Sequence, residues 1–136
     1  GIQAPNKGIM LEIGHLMHTN IDLVTLDDAA AYIHRQLDTH GELYQHIKGI
    51  HLHQSLSGQY VKNMLSQEIT LQGTYMERLF ASYGHIMHID THRPFLSKSM
   101  IHIIERIQPE YLVYELITTS LEDHAQCLEA QNIVLQ

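Results

Sequence analysis

Three short apolar runs of this chain end in side chains that bind cations: Ile9-Met10-Leu11-Glu12-Ile13-Gly14-His15, Gly49-Ile50-His51-Leu52-His53 and Tyr111-Leu112-Val113-Tyr114-Glu115. Carboxylates and imidazoles at the carboxyl ends of successive parallel strands are what an α/β enzyme uses to hold a divalent ion over its sheet. Side chains alternate faces along a strand, so Met10 shares a face with Glu12, His51 with His53, and Tyr111 and Val113 with Glu115. Laid side by side, the strands bring Glu12, His53 and Glu115 to one mouth. Two carboxylates and one imidazole form a mixed oxygen and nitrogen site that suits Mn²⁺, Mg²⁺, Co²⁺ or Zn²⁺.

Other groups gather around these three. His15, just past Glu12, is read as facing substrate or orienting Glu12, and His51 as touching substrate or supporting a ligand from behind. Asp90 and His92 are placed to hydrogen-bond a polyol, and Arg93 to bind a carboxylate or phosphate. His18, Asn20 and Asp22 form a polar loop with a weaker claim on the same pocket. Twelve of the 136 residues are histidine. His34, His40, His46, His102 and His124 fall among polar helical neighbours and are read as solvated, whereas His85 and His88 are read as packing or solvated. A Gly-rich phosphate loop, a Gly-x-Ser-x-Gly elbow and paired cysteines are all missing from the sequence.

The elements that must position these groups alternate. Residues 1–8, with Pro5, Asn6 and Gly8, read as a lead-in loop. Strands are expected at 9–13, 49–53 and 111–117. Thr25 is read as a helix cap, with Asp28 three residues on and Ala30, Ile33 and Leu37 on one face, and the helix stops by Gly41. The segment 54–73, rich in Ser and Gly, reads as an insertion loop. A helix follows over 74–87 with Met76, Leu79, Phe80 and Tyr83 on one face. Pro94 keeps 88–95 in a structured loop. Helices are expected from Ser97 to Ile107, apolar at Met100, Ile101, Ile104 and Ile107, and after a Ser120 cap, with Leu121, Ala125, Leu128 and Ile133 facing inward. Strands separated by helical connections imply parallel pairing, with both faces of the sheet covered.

The bulk composition narrows the partners. Residues 1–136 suit one α/β domain, and 44% hydrophobic content fits a packed core. The net charge of −7, from 15 acids against 8 bases, argues against nucleic acid and anionic membranes as partners. No apolar run is long enough for a membrane span, and none reads as a secretory signal. The single cysteine, Cys127, is read as a reduced packing residue, so a cytoplasmic location is expected.

Taken together, the three motifs resemble the carboxyl-terminal half of the xylose-isomerase-like TIM barrel superfamily. That group includes sugar-phosphate isomerases and epimerases and the endonuclease IV type of apurinic endonuclease. The acid-x-x-His of Glu12 and His15 resembles the sixth-strand pattern, His51-x-His53 the seventh, and the run ending in Glu115 the eighth. The resemblance implies a fold of βα units equivalent to about strands 6–8 of a (β/α)₈ barrel, with residues 54–95 as an inserted loop and helix. It also implies a metal held by Glu12, His53 and Glu115, with Glu115 and His15 taking part in catalysis. The implied reaction is proton abstraction next to a carbonyl, in a sugar or sugar phosphate.

Two departures stand out. The sixth-strand acid of the group is usually Asp, one methylene shorter than Glu12, and its fifth-strand Glu has no counterpart here. A whole barrel needs about 250 residues, so this chain is expected to be either a truncated piece of a longer barrel or a natural half-barrel, inactive by itself and dimeric through its open sheet edges. The alternatives are an endonuclease IV-like phosphodiesterase and a His-rich metal-binding module without catalysis.

Overall fold

The computed structural model describes residues 7–68 and 70–136. Three short strands, β1 (Ile9–Glu12), β2 (Ile47–Leu52) and β3 (Tyr111–Tyr114), form a parallel sheet in the order β1-β2-β3. The lead-in loop read for 1–8 lies mostly outside the described residues. The strands end one to three residues earlier than the apolar runs suggested. Those residues turn out of the ladder to begin α1 after β1 and the loops after β2 and β3.

Six helices complete the described chain: α1 (Ile13–His18), α2 (Leu26–Thr39), α3 (Gly58–Leu65), α4 (Tyr75–Ile89), α5 (Ser99–Ile107) and α6 (Leu121–Val134). α2 starts as its sequence predicts. The Thr25 hydroxyl accepts from the Asp28 amide, and the Asp28 carboxylate accepts from the Thr25 amide, forming a capping box. A 3₁₀ turn at Gly41–His46 then leads into β2.

The core lies on one side of the sheet. Ile50 and Leu52 point to α2 and α5, where Ala30, Ile33, Leu37, Met100, Ile103 and Ile107 bury their side chains. The expectation of a sheet covered on both faces fails. By strand parity, Met10, Tyr111 and Val113 lie on the other face, at 44%, 62% and 43% exposure, with no layer of helices over them among the described residues. Only β2, paired on both edges, is buried as a central parallel strand should be.

Two further expectations need correction. The segment 54–73 is not all loop. Tyr60, Val61, Met64 and Leu65 recur at helical spacing and form one stripe of α3, a period obscured by the neighbouring serines and glycines. The inward face of α6 is not the one expected: Leu121 is 91% and Ile133 60% exposed, whereas Cys127 and Gln131 are buried. Gln131 takes the inward position because its carboxamide accepts from the Phe95 amide at 2.7 Å and donates to the Phe95 carbonyl at 3.3 Å. This pairing satisfies backbone groups that the chain buries after Pro94.

Candidate metal centre

The sheet register determines which groups can meet. Glu12 pairs with His51, and His51 pairs with Val113, so Glu12 and His51 stand level. Leu52 pairs with Tyr114, which puts His53 and Glu115 together one residue further along. All four side chains emerge on the same side of the sheet. His51 Nδ1 lies 2.6 Å from Glu12 Oε1 and 3.4 Å from Glu115 Oε2, and His53 Nε2 lies 3.6 Å from Glu115 Oε2 and 4.0 Å from Glu12 Oε2. Both histidines therefore face both carboxylates.

A second group lies beside the first. The ring nitrogens of His15, His53 and His92 come within 4.8 Å of one another, as do the donor atoms of Glu12, His51 and Glu115. Asp90 joins the histidines, with Oδ2 3.1 Å from His15 Nε2 and 3.0 Å from His92 Nε2, and Oδ1 3.8 Å from His18 Nε2. The His53 and His92 rings stack at 3.8 Å and are nearly parallel.

Local structure explains how residues so far apart in sequence meet. After β2 the chain leaves at Gln54 and returns at Arg93, and these two residues form an antiparallel bridge through hydrogen bonds of 2.7 and 3.1 Å. Buried Ser55 pins the returning strand. Its hydroxyl donates to Asp90 Oδ1 at 3.3 Å and accepts from the amides of Thr91 at 3.1 Å and His92 at 3.3 Å. His92 adopts φ +45°, an uncommon conformation that this pinning holds in place. Gly14 fits against the His53 ring, where a Cβ would overlap the imidazole. Neither Ser55 nor Gly14 could be singled out from the sequence. The available hint for Gly14 was its place directly after the strand-end acid.

Apart from His51 Nδ1, which contacts Glu12 Oε1, several buried polar atoms here make no hydrogen bond: Glu12 Oε2, Glu115 Oε2, His18 Nε2 and both ring nitrogens of His53. Native interiors rarely leave such groups unpaired. His92 lies between two oxygens, its Nδ1 3.2 Å from the Glu115 carbonyl and its Nε2 3.0 Å from Asp90 Oδ2. A cation in the cluster would satisfy the unpaired atoms. With metal–ligand distances near 2.1 Å, neighbouring ligand atoms stand roughly 3–3.5 Å apart, close to several of the separations above. The donor set of imidazoles and carboxylates fits a divalent ion of the Zn²⁺ or Mn²⁺ kind.

Electrostatics agree with ligand roles. Burial pushes the His53 imidazole down to about 4, His92 adds to the shift and Glu115 opposes it, so the ring is neutral at pH 7 with one nitrogen lone pair free. Burial also lowers His18, against the pull of Asp90. For Asp90, burial acts against the charged form, but hydrogen bonds from His92 and His15 outweigh it and hold the carboxyl below its ordinary range.

The residues singled out from the sequence distribute as follows. Glu12, His53 and Glu115 come together, His51 joins them more tightly than a supporting position would require, and His15, Asp90 and His92 adjoin them. Arg93 is turned elsewhere. Its guanidinium binds both Asp123 oxygens at 3.1 and 3.2 Å at the start of α6, and it holds the Asp123 carboxyl well below the usual range. Asp22 pairs with Lys62 at 2.6 Å, outside the cluster. A surface hollow of about 520 Å³ lies at the opposite ends of the strands beside the Lys48–Glu110 pair and touches none of these groups.

No protein-family model, no curated protein and no solved structure matches this chain. Among the described residues no helix is long and apolar enough to cross a membrane.

Proposed function

We propose that the strand-end cluster is a two-position divalent-metal centre, and that the chain is the metal-binding part of an enzyme that cleaves a phosphate ester on a small, sugar-like substrate. The observation that carries this reading is the second donor group. One ion held by Glu12, His53 and Glu115 leaves His15, His92 and Asp90 with no task but substrate contact. Two positions use both groups, one within Glu12, His51 and Glu115 and the other within His15, His53, His92 and Asp90. Ions held at those positions would supply positive charge to a phosphoryl group.

The chain's own residues do the rest. His53, enclosed between the two groups, separates the positions and excludes water. Asp90 fixes the orientation of the exposed His15 ring, which offers a nitrogen to a substrate oxygen at the mouth. Glu115, with its side chain 41% exposed, is the carboxylate placed to hold a proton next to substrate. The net charge of −7 favours a small substrate over a nucleic-acid chain.

A second reading, a sugar or sugar-phosphate isomerase or epimerase, is favoured by the Glu12 and Glu115 carboxylates converging on one imidazole and by Arg93 being committed to Asp123. It needs one metal position and a carboxylate that shuttles a proton next to a carbonyl.

Metal content and turnover separate the two readings. Two equivalents of Zn²⁺ or Mn²⁺ per chain, with hydrolysis of an activated phosphodiester, are expected. One equivalent, with solvent deuterium entering a ketose next to its carbonyl, favours the isomerase. Tight binding with neither activity leaves a metal-binding module.

A further inference from the structure

α1 carries two histidines three residues apart, His15 and His18, so both rings project from one side of its last turn. The ring centroids stand 5.7 Å apart. His15 adjoins the cluster through Asp90. His18 belongs to neither metal position, although its Nε2 is buried without a hydrogen-bond partner, 3.8 Å from Asp90 Oδ1. The other oxygen of that carboxylate, Oδ2, lies 3.1 Å from His15 Nε2 and 3.0 Å from His92 Nε2. Asp90 therefore has imidazole nitrogens beside both of its oxygens.

We propose that His18 is a metal ligand, that it completes the position at His15, His92 and Asp90, and that an ion bound there fastens α1 to the end of α4. The proposal rests on the metal reading above and redistributes its donors. Distance is the first argument. A separation of 3.8 Å between a buried nitrogen and a carboxylate oxygen is too wide for a hydrogen bond. An ion bonded to each at about 2.1 Å spans it.

Ring orientation is the second argument. A metal-bound imidazole ordinarily turns its second nitrogen to a backbone carbonyl or a carboxylate. His92 has Nδ1 on the Glu115 carbonyl and Nε2 towards Asp90. His18 repeats the arrangement: its ring meets the backbone of Ile89 while Nε2 is turned to Asp90. Ile89 is the last residue of α4, the helix that Thr74 and Glu77 cap at its start.

The third argument is the count of donors. His53 Nε2 already lies 3.6 Å from Glu115 Oε2 and 4.0 Å from Glu12 Oε2. With His18 in the second position, His53 serves the first. Glu12, His51, His53 and Glu115 then surround one ion, and His15, His18, Asp90 and His92 the other, four donors each, the number a zinc ion takes. The second set consists of two short chelating motifs, His15-x-x-His18 from α1 and Asp90-x-His92 from the segment after α4.

The test is a Zn²⁺ titration of the full chain, followed by calorimetry and by nuclear magnetic resonance of the imidazole nitrogens. Wild type should take two equivalents, and the His18 Nε2 resonance should move to its metal-bound position with one of them. His18→Gln should weaken one equivalent at least about tenfold and leave the other, and the helical content, unchanged. His51→Gln should weaken the opposite equivalent and leave the His18 response intact. A wild-type chain that binds no Zn²⁺ overturns the metal reading and this proposal with it. Two equivalents of unchanged affinity in His18→Gln, or a wild-type His18 resonance that stays in place as both ions bind, overturns this proposal alone. Should His18→Gln fail to fold, the wild-type resonance decides.

Discussion

Around His53, polar atoms are buried without partners, whereas along α4 apolar side chains stand in solvent without cover. Both regions belong to the same excursion of the chain or meet it: Asp90 and His92 lie just beyond the last turn of α4. The first region contradicts hydrogen-bond satisfaction and the second contradicts burial. An unpaired lone pair among carboxylates suits a cation, and an exposed apolar stripe suits an apolar surface. The contrast shows that the kind of unmet interaction identifies the kind of partner.

The contrast can be broken most sharply at Gly14. Gly14→Ala adds one methyl where the His53 ring now lies, and should reduce metal affinity by about 100-fold or more in calorimetric titration, because the imidazole common to both groups must move. Unchanged affinity would mean that His53 is only a packed ring. Next in size, Glu115→Gln keeps the shape and removes a charged donor, so binding should weaken about 10–100-fold. If the variant and wild type bind Mn²⁺ equally, the carboxylates are not ligands.

Acid should sharpen the contrast further. His53 titrates near 4 when folded and near 6.5 when unfolded, so the unfolded chain takes up the proton first. Stability of the metal-free protein should therefore fall as pH drops from about 6.5 to about 4, by roughly 2 kcal/mol from this group. His53→Gln should flatten that part of the profile of thermal midpoint against pH. The smallest effect is expected at the start of α4. Thr74→Ala removes a cap and should cost about 1 kcal/mol, read as lost helicity with metal binding unchanged.

What the sequence disclosed follows from the range of each signal. Alternation along a strand is local, so the shared side of Glu12, His51, His53 and Glu115 could be read directly, and so could the Thr25 cap. The pairing of His15 with Asp90 spans 75 positions and depends on a bridge between Gln54 and Arg93 that no spacing rule anticipates. Arg93 reads as an anion binder until the fold puts Asp123 beside it. Leu121 and Ile133 appear inward by composition, but Gln131 takes the buried place because unpaired backbone at Phe95 needed a partner more than the core needed another aliphatic side chain.

The bridge between Gln54 and Arg93 has one more consequence. It closes the α3–α4 excursion at its root, so that the segment resembles a cassette inserted between two fixed posts. Lengthening, shortening or exchanging its outer part leaves the posts, and the ligands anchored to them, where they are. The outer hairpin and the strand-end cluster can then change at separate rates within one polypeptide.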